Sequence, residues 1–537
     1  MDYSENRGRS RAASSAAPAL QRINTAFGIA SAETKRTSDV LEASAVDMED
    51  NIPTTTTGEV TSWYIYSIGA SGIGLLYFAT AAFQNLLEQA ALGRGGELMF
   101  MGSIREPASI VLLANSISFA IQGVLTILID VYADFGTGRR WIIIIWSVLG
   151  WAVSFAWLGV YERQNWEAGV ALYILGMIAF QLSTTYWTAS FPALARNSQT
   201  IKDSMLSYRQ GDISGEELDK REQMERSRLS NVSFTIQSIG AVVILAISIG
   251  IMHALRADSG TRANNWAFSV VIAFAGVMWL VLSLPWFIME KTRASLPLPA
   301  GKTYLTVGVW RFVESCKQIW NLKQSLFFLL GFFMIGNCFI TSLVLIVSIQ
   351  NNIIQFNAYK VANLLLVSLA SQAAGIAMYW QTQKKLRLSV KTMFNATMVS
   401  VLVVCIWGMV GNWTRRFGFH REWELWAFSI FSGLFSSPFF SYGPLMISCV
   451  TPKGHEFLFF SLFNTVGKAS VFLGPMVASA IIDVSPMNRV HTPFYFLVPL
   501  TVVSIIAIWG FVDLEKSAKE QELFLAKEQA VQEELKQ

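Results

Sequence analysis

The sequence predicts an all-α integral membrane protein, with about twelve transmembrane helices in two six-helix halves. Three observations predict it. Hydrophobic residues make up 53% of the 537 residues and charged residues only 15%, against roughly 25% charged in a soluble domain. The charges gather in tails and loops, leaving nearly uncharged stretches of about 20 residues, the length that crosses a hydrocarbon core of about 30 Å. A long polar loop splits these stretches six and six, as related halves require.

The stretches fall at 62–83, 109–132, 141–161, 168–191, 232–252, 266–289, 325–349, 361–380, 390–411, 424–448, 457–482 and 493–513. The expected domains are a cytosolic tail (1–57), an N-terminal half (58–289) with a long cytosolic loop at 192–231 whose mixed acids and bases read as a short surface helix, a central loop (290–324), a C-terminal half (325–513) and a charged tail (514–537). Residues 1–57 are rich in Ser, Ala, Thr and Arg without a sustained apolar run, the composition of a disordered segment. They hold no secretory signal pattern. The 514–537 tail alternates acid and base and reads as a solvated helix. With the N-terminus in the cytosol, the inward loops carry roughly twenty Lys and Arg and the opposite loops about ten, the bias that orients membrane proteins. An even number of spans puts both termini in the cytosol.

The loop after the second span contains Asp130, Asp134, Gly138, Arg139 and Arg140. It resembles the Gly-x-x-x-Asp-(Arg/Lys)-x-Gly-Arg-Arg turn of the major facilitator superfamily, in which the acid caps a helix and pairs with basic residues to latch one conformation. One extra residue precedes Gly138-Arg139-Arg140, and no basic residue follows Asp134. The bland alternative is a positively charged turn without a latch.

Further segments carry a closer resemblance. They are Trp63-Tyr64-Ile65-Tyr66-Ser67, Phe191-Pro192-Ala193-Leu194-Ala195-Arg196, Ser227-Arg228-Leu229-Ser230 and Pro285-Trp286-Phe287, then Glu456, Phe459-Phe460, Gly467-Lys468 and Gly474-Pro475. In this order the chain, over about 57–513, resembles the autophagy-related protein 22 family of fungal vacuolar transporters, of major facilitator type. The resemblance implies a multi-pass vacuolar membrane permease that exports amino acids to the cytosol after autophagic degradation. Because the first, fourth, seventh and tenth helices line the cavity of that fold, it also makes Tyr66, Tyr186 and Asn337 candidate substrate contacts; each is otherwise an ordinary interhelical hydrogen-bond partner.

Lys468 is the most informative residue. It lies deep in the eleventh span, where a charged side chain costs about 2.5–3.5 kcal/mol unless it faces protein or water. Helical spacing puts Ser461, Asn464 and Thr465 beside it as a polar stripe. Mid-span Asp and Glu are absent from the sequence, and all four histidines fall at span edges. The substrate's own carboxylate is therefore a candidate counter-ion for Lys468; the alternative is a structural Lys reaching backbone carbonyls near Pro475. Trp63, Trp141, Trp146 and Trp286 lie near span ends, as an interfacial belt would. Gly69, Gly72 and Gly74 read either as close packing or as a flexible cavity wall.

The remaining signals exclude more than they assign. The net charge of +4 carries no nucleic-acid signal, and four cysteines without a CxxC pair suggest neither disulfides nor a metal site. Zinc-protease, paired-aspartate and nucleotide-loop patterns are missing, so neither an enzyme nor a cofactor is expected. The sequon Asn412-Trp413-Thr414 falls at the membrane edge and is expected to stay unmodified. The expected partners are the lipid bilayer and a small-molecule substrate, with the oligomeric state open and compatible with a monomer. The competing reading is a non-transporting receptor or scaffold on the same fold.

Overall fold

A computed structural model describes residues 53–92, 95–134, 138–188, 190–291, 317, 319–320, 322–355, 357–386, 388–452, 456–485 and 490–536. The main helices are α1 (Thr57–Ala91), α2 (Pro107–Asp134), α3 (Arg139–Ala156), α4 (Trp166–Thr188), α5 (Gly215–Ala254) and α6 (Thr261–Met289) in the first half. The second half holds α7 (Lys323–Ile353), α8 (Ala358–Leu386), α9 (Val390–Val410), α10 (Glu422–Phe431, then Ser432–Ser436 and Phe439–Cys449), α11 (Glu456–Val484) and α12 (Phe494–Phe511). The helix α13 (Leu514–Lys536) follows. Ten of these are long and apolar enough to cross a membrane when only the described residues are considered. The other two of the twelve expected spans are α10, whose winding changes midway, and α11, part of whose side chains lie outside the described residues.

Without water in the hydrocarbon, helices associate through close packing and internal hydrogen bonds, and glycines set the closest approaches. A Cβ on Gly375 of α8 would stand 2.5 Å from the carbonyl oxygen of Leu434 in α10. One on Gly433 would stand 2.8 Å from the carbonyl oxygen of Ser368. The two backbones therefore cross in direct contact where α10 adopts π winding over Ser432–Ser436. A corresponding irregularity occurs in α1. Its first segment ends at Gly69, Gly72 takes a left-handed φ of 83°, and a π turn follows over Ile73–Phe78. Gly69 abuts the backbone of Trp279 and Gly74 the side chain of Ala275, both on α6. The glycine-rich stretch of α1 is thus close packing around a helix break.

Several expectations change. The 192–231 loop, expected to contain a short surface helix, is helical over most of its length: Phe191–Arg196 and Gln199–Arg209 are helices, and α5 begins at Gly215. The C-terminal helix is docked rather than wholly solvated. Ser517 is buried, the Glu520 carboxylate accepts from the amide of Gln324 at the start of α7 (3.0 Å), and Gln521 Nε2 donates to the carbonyl of Cys449 at the end of α10 (3.2 Å). An acid at one helix N-terminus and a donor at another's C-terminus satisfy backbone groups that would otherwise lack partners. Trp63 and Trp286 are buried rather than part of a lipid-facing belt, whereas Trp141 is 65% exposed. Trp63 stacks on Trp187 with centroids 4.8 Å apart, and each indole N–H donates to the other's carbonyl.

The backbone crossing is testable. Gly375→Val should destabilise the protein by about 1–3 kcal/mol, the usual cost of overpacking, and lower its melting temperature in detergent. Gly123→Val and Gly250→Val, where an added Cβ meets nothing within 4 Å, should melt with the wild type. Equal melting of all three would refute the tight α8–α10 contact.

Candidate functional site: the seam between the halves

The halves meet along α2–α11 and α5–α8, with α1 and α7 also in contact. The described side-chain hydrogen bonds that join the halves lie at one end of the bundle, here called distal, opposite the end where α1 begins and α12 finishes. Gln84 of α1 is fully buried; its Nε2 donates to the carbonyl of Ser348 (2.9 Å) and to its Oγ (3.0 Å) on α7. Asn351 Nδ2 returns a bond to Gln84 Oε1 (3.0 Å). Asn264 of α6 accepts from the amide of Ala358, capping α8 (3.0 Å). Ser109 of α2 and Ser479 of α11 pair at 2.8 Å, and Ser479 also donates to the carbonyl of Ser109.

Above them a hairpin of β1 (Leu98–Phe100) and β2 (Ser103–Arg105) turns through Met101 and Gly102, both with positive φ as a two-residue type I′ turn requires. It delivers Arg105 to an ion pair with Asp483 at the end of α11. These contacts close the distal end in this conformation.

The sequence-derived candidates are distributed differently. Tyr66 is fully buried, shares a hydrogen bond with Ser147 Oγ of α3 (2.9 Å) and stacks on Trp187; it ties α1 to α3 and α4. Tyr186 is buried within α4. Asn337 of α7 is 7% exposed, and its Oδ1 accepts no hydrogen bond. Thr341 Oγ1, one turn on, is likewise buried without a partner. Both oxygens face Gly474 of α11, where a Cβ would stand 2.5 Å from Asn337 Oδ1. Lys468, Ser461, Asn464 and Thr465 belong to α11, the same helix, but their side chains lie outside the described residues. The acid–base latch also falls largely outside them: α2 runs to Asp134 and α3 starts at Arg139, while the side chains of Asp130, Asp134 and Arg139 are not described. Gly138 precedes α3 with an ordinary helical φ of −74°. Arg140 donates to the carbonyl of Phe287 near the C-terminus of α6, a favourable place for a cation.

Sequence reading missed Gln84, Ser348, Asn351 and Arg105. Each is an unremarkable polar residue near a span end; only pairing across some 260 to 380 positions of chain gives it meaning. On the same face, both amide hydrogens of Asn412 are engaged, by the carbonyls of Met409 (3.2 Å) and His491 (2.9 Å).

This arrangement of helices is that of the major facilitator transporters. The chain superposes on the D-xylose–proton symporter with a TM-score of 0.56, at 13% identity, over 86% of this chain and 98% of that one. The nucleoside transporter NupG gives 0.51, at 14% identity, over 85% and 100%. The particular family follows from the sequence: residues 55–522 match the model for "Vacuole effluxer Atg22 like" proteins, and the chain belongs to that family. Similar proteins include autophagy-related protein 22 of Yarrowia lipolytica, 22% identical over 79% of each chain, and autophagy-related protein 22-1 of Penicillium rubens, 24% identical over 79% of each. The protein is a multi-pass vacuolar membrane secondary transporter.

The distal contacts give a direct test. Gln84→Ala strands buried groups of Ser348 and Asn351, at a cost of about 1–3 kcal/mol to the closed seam, roughly a ten- to hundredfold shift toward opening. Hydrogen exchange should accelerate at the distal ends of α1 and α7 and stay unchanged in α3. Unaltered exchange at α1 and α7 would remove Gln84 from the gate.

Proposed function

We propose that the protein carries amino acids from the vacuole lumen to the cytosol by alternating access. The observation that carries this reading is the pair of unpartnered buried oxygens on Asn337 and Thr341, facing the helix that bears Lys468. A buried acceptor without a donor is costly, so an arriving N–H group gains more there than in water. An α-amino acid brings an ammonium for such acceptors and a carboxylate for a cation. Lys468 supplies that cation, with Ser461, Asn464 and Thr465 as its polar surroundings on α11. Tyr66 and Tyr186 contribute to the N-terminal wall once the halves rearrange. In this reading the distal end faces the lumen, both termini are cytosolic, and the closed seam corresponds to the cytosol-facing state. The turn at Asp130, Asp134, Gly138, Arg139 and Arg140 lies at the opposite end and steadies the lumen-facing state.

Lys468→Met keeps the length of the side chain and removes its charge. The variant should insert as well as the wild type, since Met is better tolerated in hydrocarbon. Amino-acid flux in liposomes should fall at least about tenfold, because a desolvated carboxylate without a cation is costly. Normal flux in well-folded variant protein would sink the assignment of Lys468, and loss of folded yield ahead of flux would mark a structural Lys.

Orientation has its own check. Protease added to intact vacuoles should cut within residues 290–324, and protection of that segment would reverse the topology.

A further inference from the structure

The chain enters α2 through Arg105 and Glu106, directly on the distal seam. Arg105 is paired across the halves with Asp483, and both side chains are only about one-fifth exposed. Glu106 has a buried carboxylate oxygen that accepts no hydrogen bond. Three carboxylates act on it: Glu88 from the end of α1, Glu97 from the turn before β1, and Asp483 from α11 of the other half. Arg105, the residue before Glu106, is engaged by Asp483. Closing the seam therefore takes Glu106 partly out of water and sets it among three acids, one of them brought in by the opposite half.

We propose that this seam is a proton-operated gate, which closes with Glu106 neutral and is driven open when Glu106 ionises. The direction follows from the surroundings. Burial first, then repulsion from Glu88, Asp483 and Glu97, raises the Glu106 carboxyl to about 7 in the closed seam. Opening hydrates it and removes Asp483, returning it toward the ordinary glutamate value of about 4.3. Closure thus takes up a proton. Its advantage is complete below about pH 4.3 and is lost as pH rises through about 7, by up to about tenfold in the closed-to-open ratio per pH unit between those limits. An acidic compartment on the distal face holds the gate shut, and a neutral one releases it. His491 and His420, in contact on the distal loops of the second half with centroids 4.7 Å apart, do not explain such a window through His491, because burial and His420 hold His491 down to about 4. His253 faces Tyr359 across the α5–α8 contact, and a Glu106 variant separates its contribution.

The test reads distance rather than transport, so it is independent of whether amino acids are the cargo. Unnatural amino acids at Leu92 and Trp413, exposed distal positions on opposite halves, carry spin labels in the full-length protein in nanodiscs. Distance distributions are recorded from pH 5 to 8.5. The wild type should show the short distance at pH 5, with a long-distance fraction that grows as pH rises to about 7 and levels off by pH 8.5. Glu106→Gln, neutral at every pH, should stay short throughout, whereas Glu106→Asp should still open. Should the glutamine variant not fold, Glu106→Ala replaces it. A flat wild-type profile, or a neutral variant that opens in parallel with the wild type, overturns the proposal.

Discussion

Exclusion of water from the hydrocarbon is the constraint on which this structure depends. Polar groups within the bundle must find partners in the protein, and apolar faces gain nothing from one another that lipid would not supply. The helices are therefore held by close backbone approach and by specific polar pairs. The Gly375–Gly433 crossing and the Gly69 and Gly74 contacts with α6 are of the first kind. The Gln84–Ser348–Asn351 bridge and the Tyr66–Ser147 bond are of the second.

The same constraint gives the seam its two-state character. A buried amide bridge is either made or broken, and a half-made one leaves stranded donors. Within each half, contacts such as the reciprocal Trp63–Trp187 bonds bind helices of the same unit. Between the halves, the described hydrogen bonds gather at the distal end. Rigid halves joined by a concentrated set of replaceable bonds can rock as bodies, the motion alternating access requires. Unpartnered oxygens on Asn337 and Thr341 are the complementary feature: a place inside one half where the bonding is incomplete.

Charge is handled by position. Glu520 of the C-terminal helix meets the start of α7, Arg140 meets the end of α6, and Lys391 donates to the carbonyl of Val512 beyond α12 (2.5 Å). These ionic side chains satisfy backbone groups at helix ends, where dipole and solvent both favour them. At the distal seam Glu106 stands among Glu88, Glu97 and Asp483, the surroundings on which the proposed proton dependence of closure rests.

The sequence by itself determined the class of fold, the helix count and the six-and-six division, because membrane thickness and hydropathy act locally along the chain. It also singled out Lys468, since a cation deep in an apolar helix is conspicuous without any structure. The docking of residues 514–536, the full extent of helix in 192–231 and the burial of Trp63 and Trp286 were not legible. Amphipathic or interfacial composition is the same whether the neighbour is solvent, lipid or protein. The seam was the least legible part. Gln84 and Ser348, or Arg105 and Asp483, carry no local mark of one another, and only the packing of two halves brings such distant side chains within bonding distance.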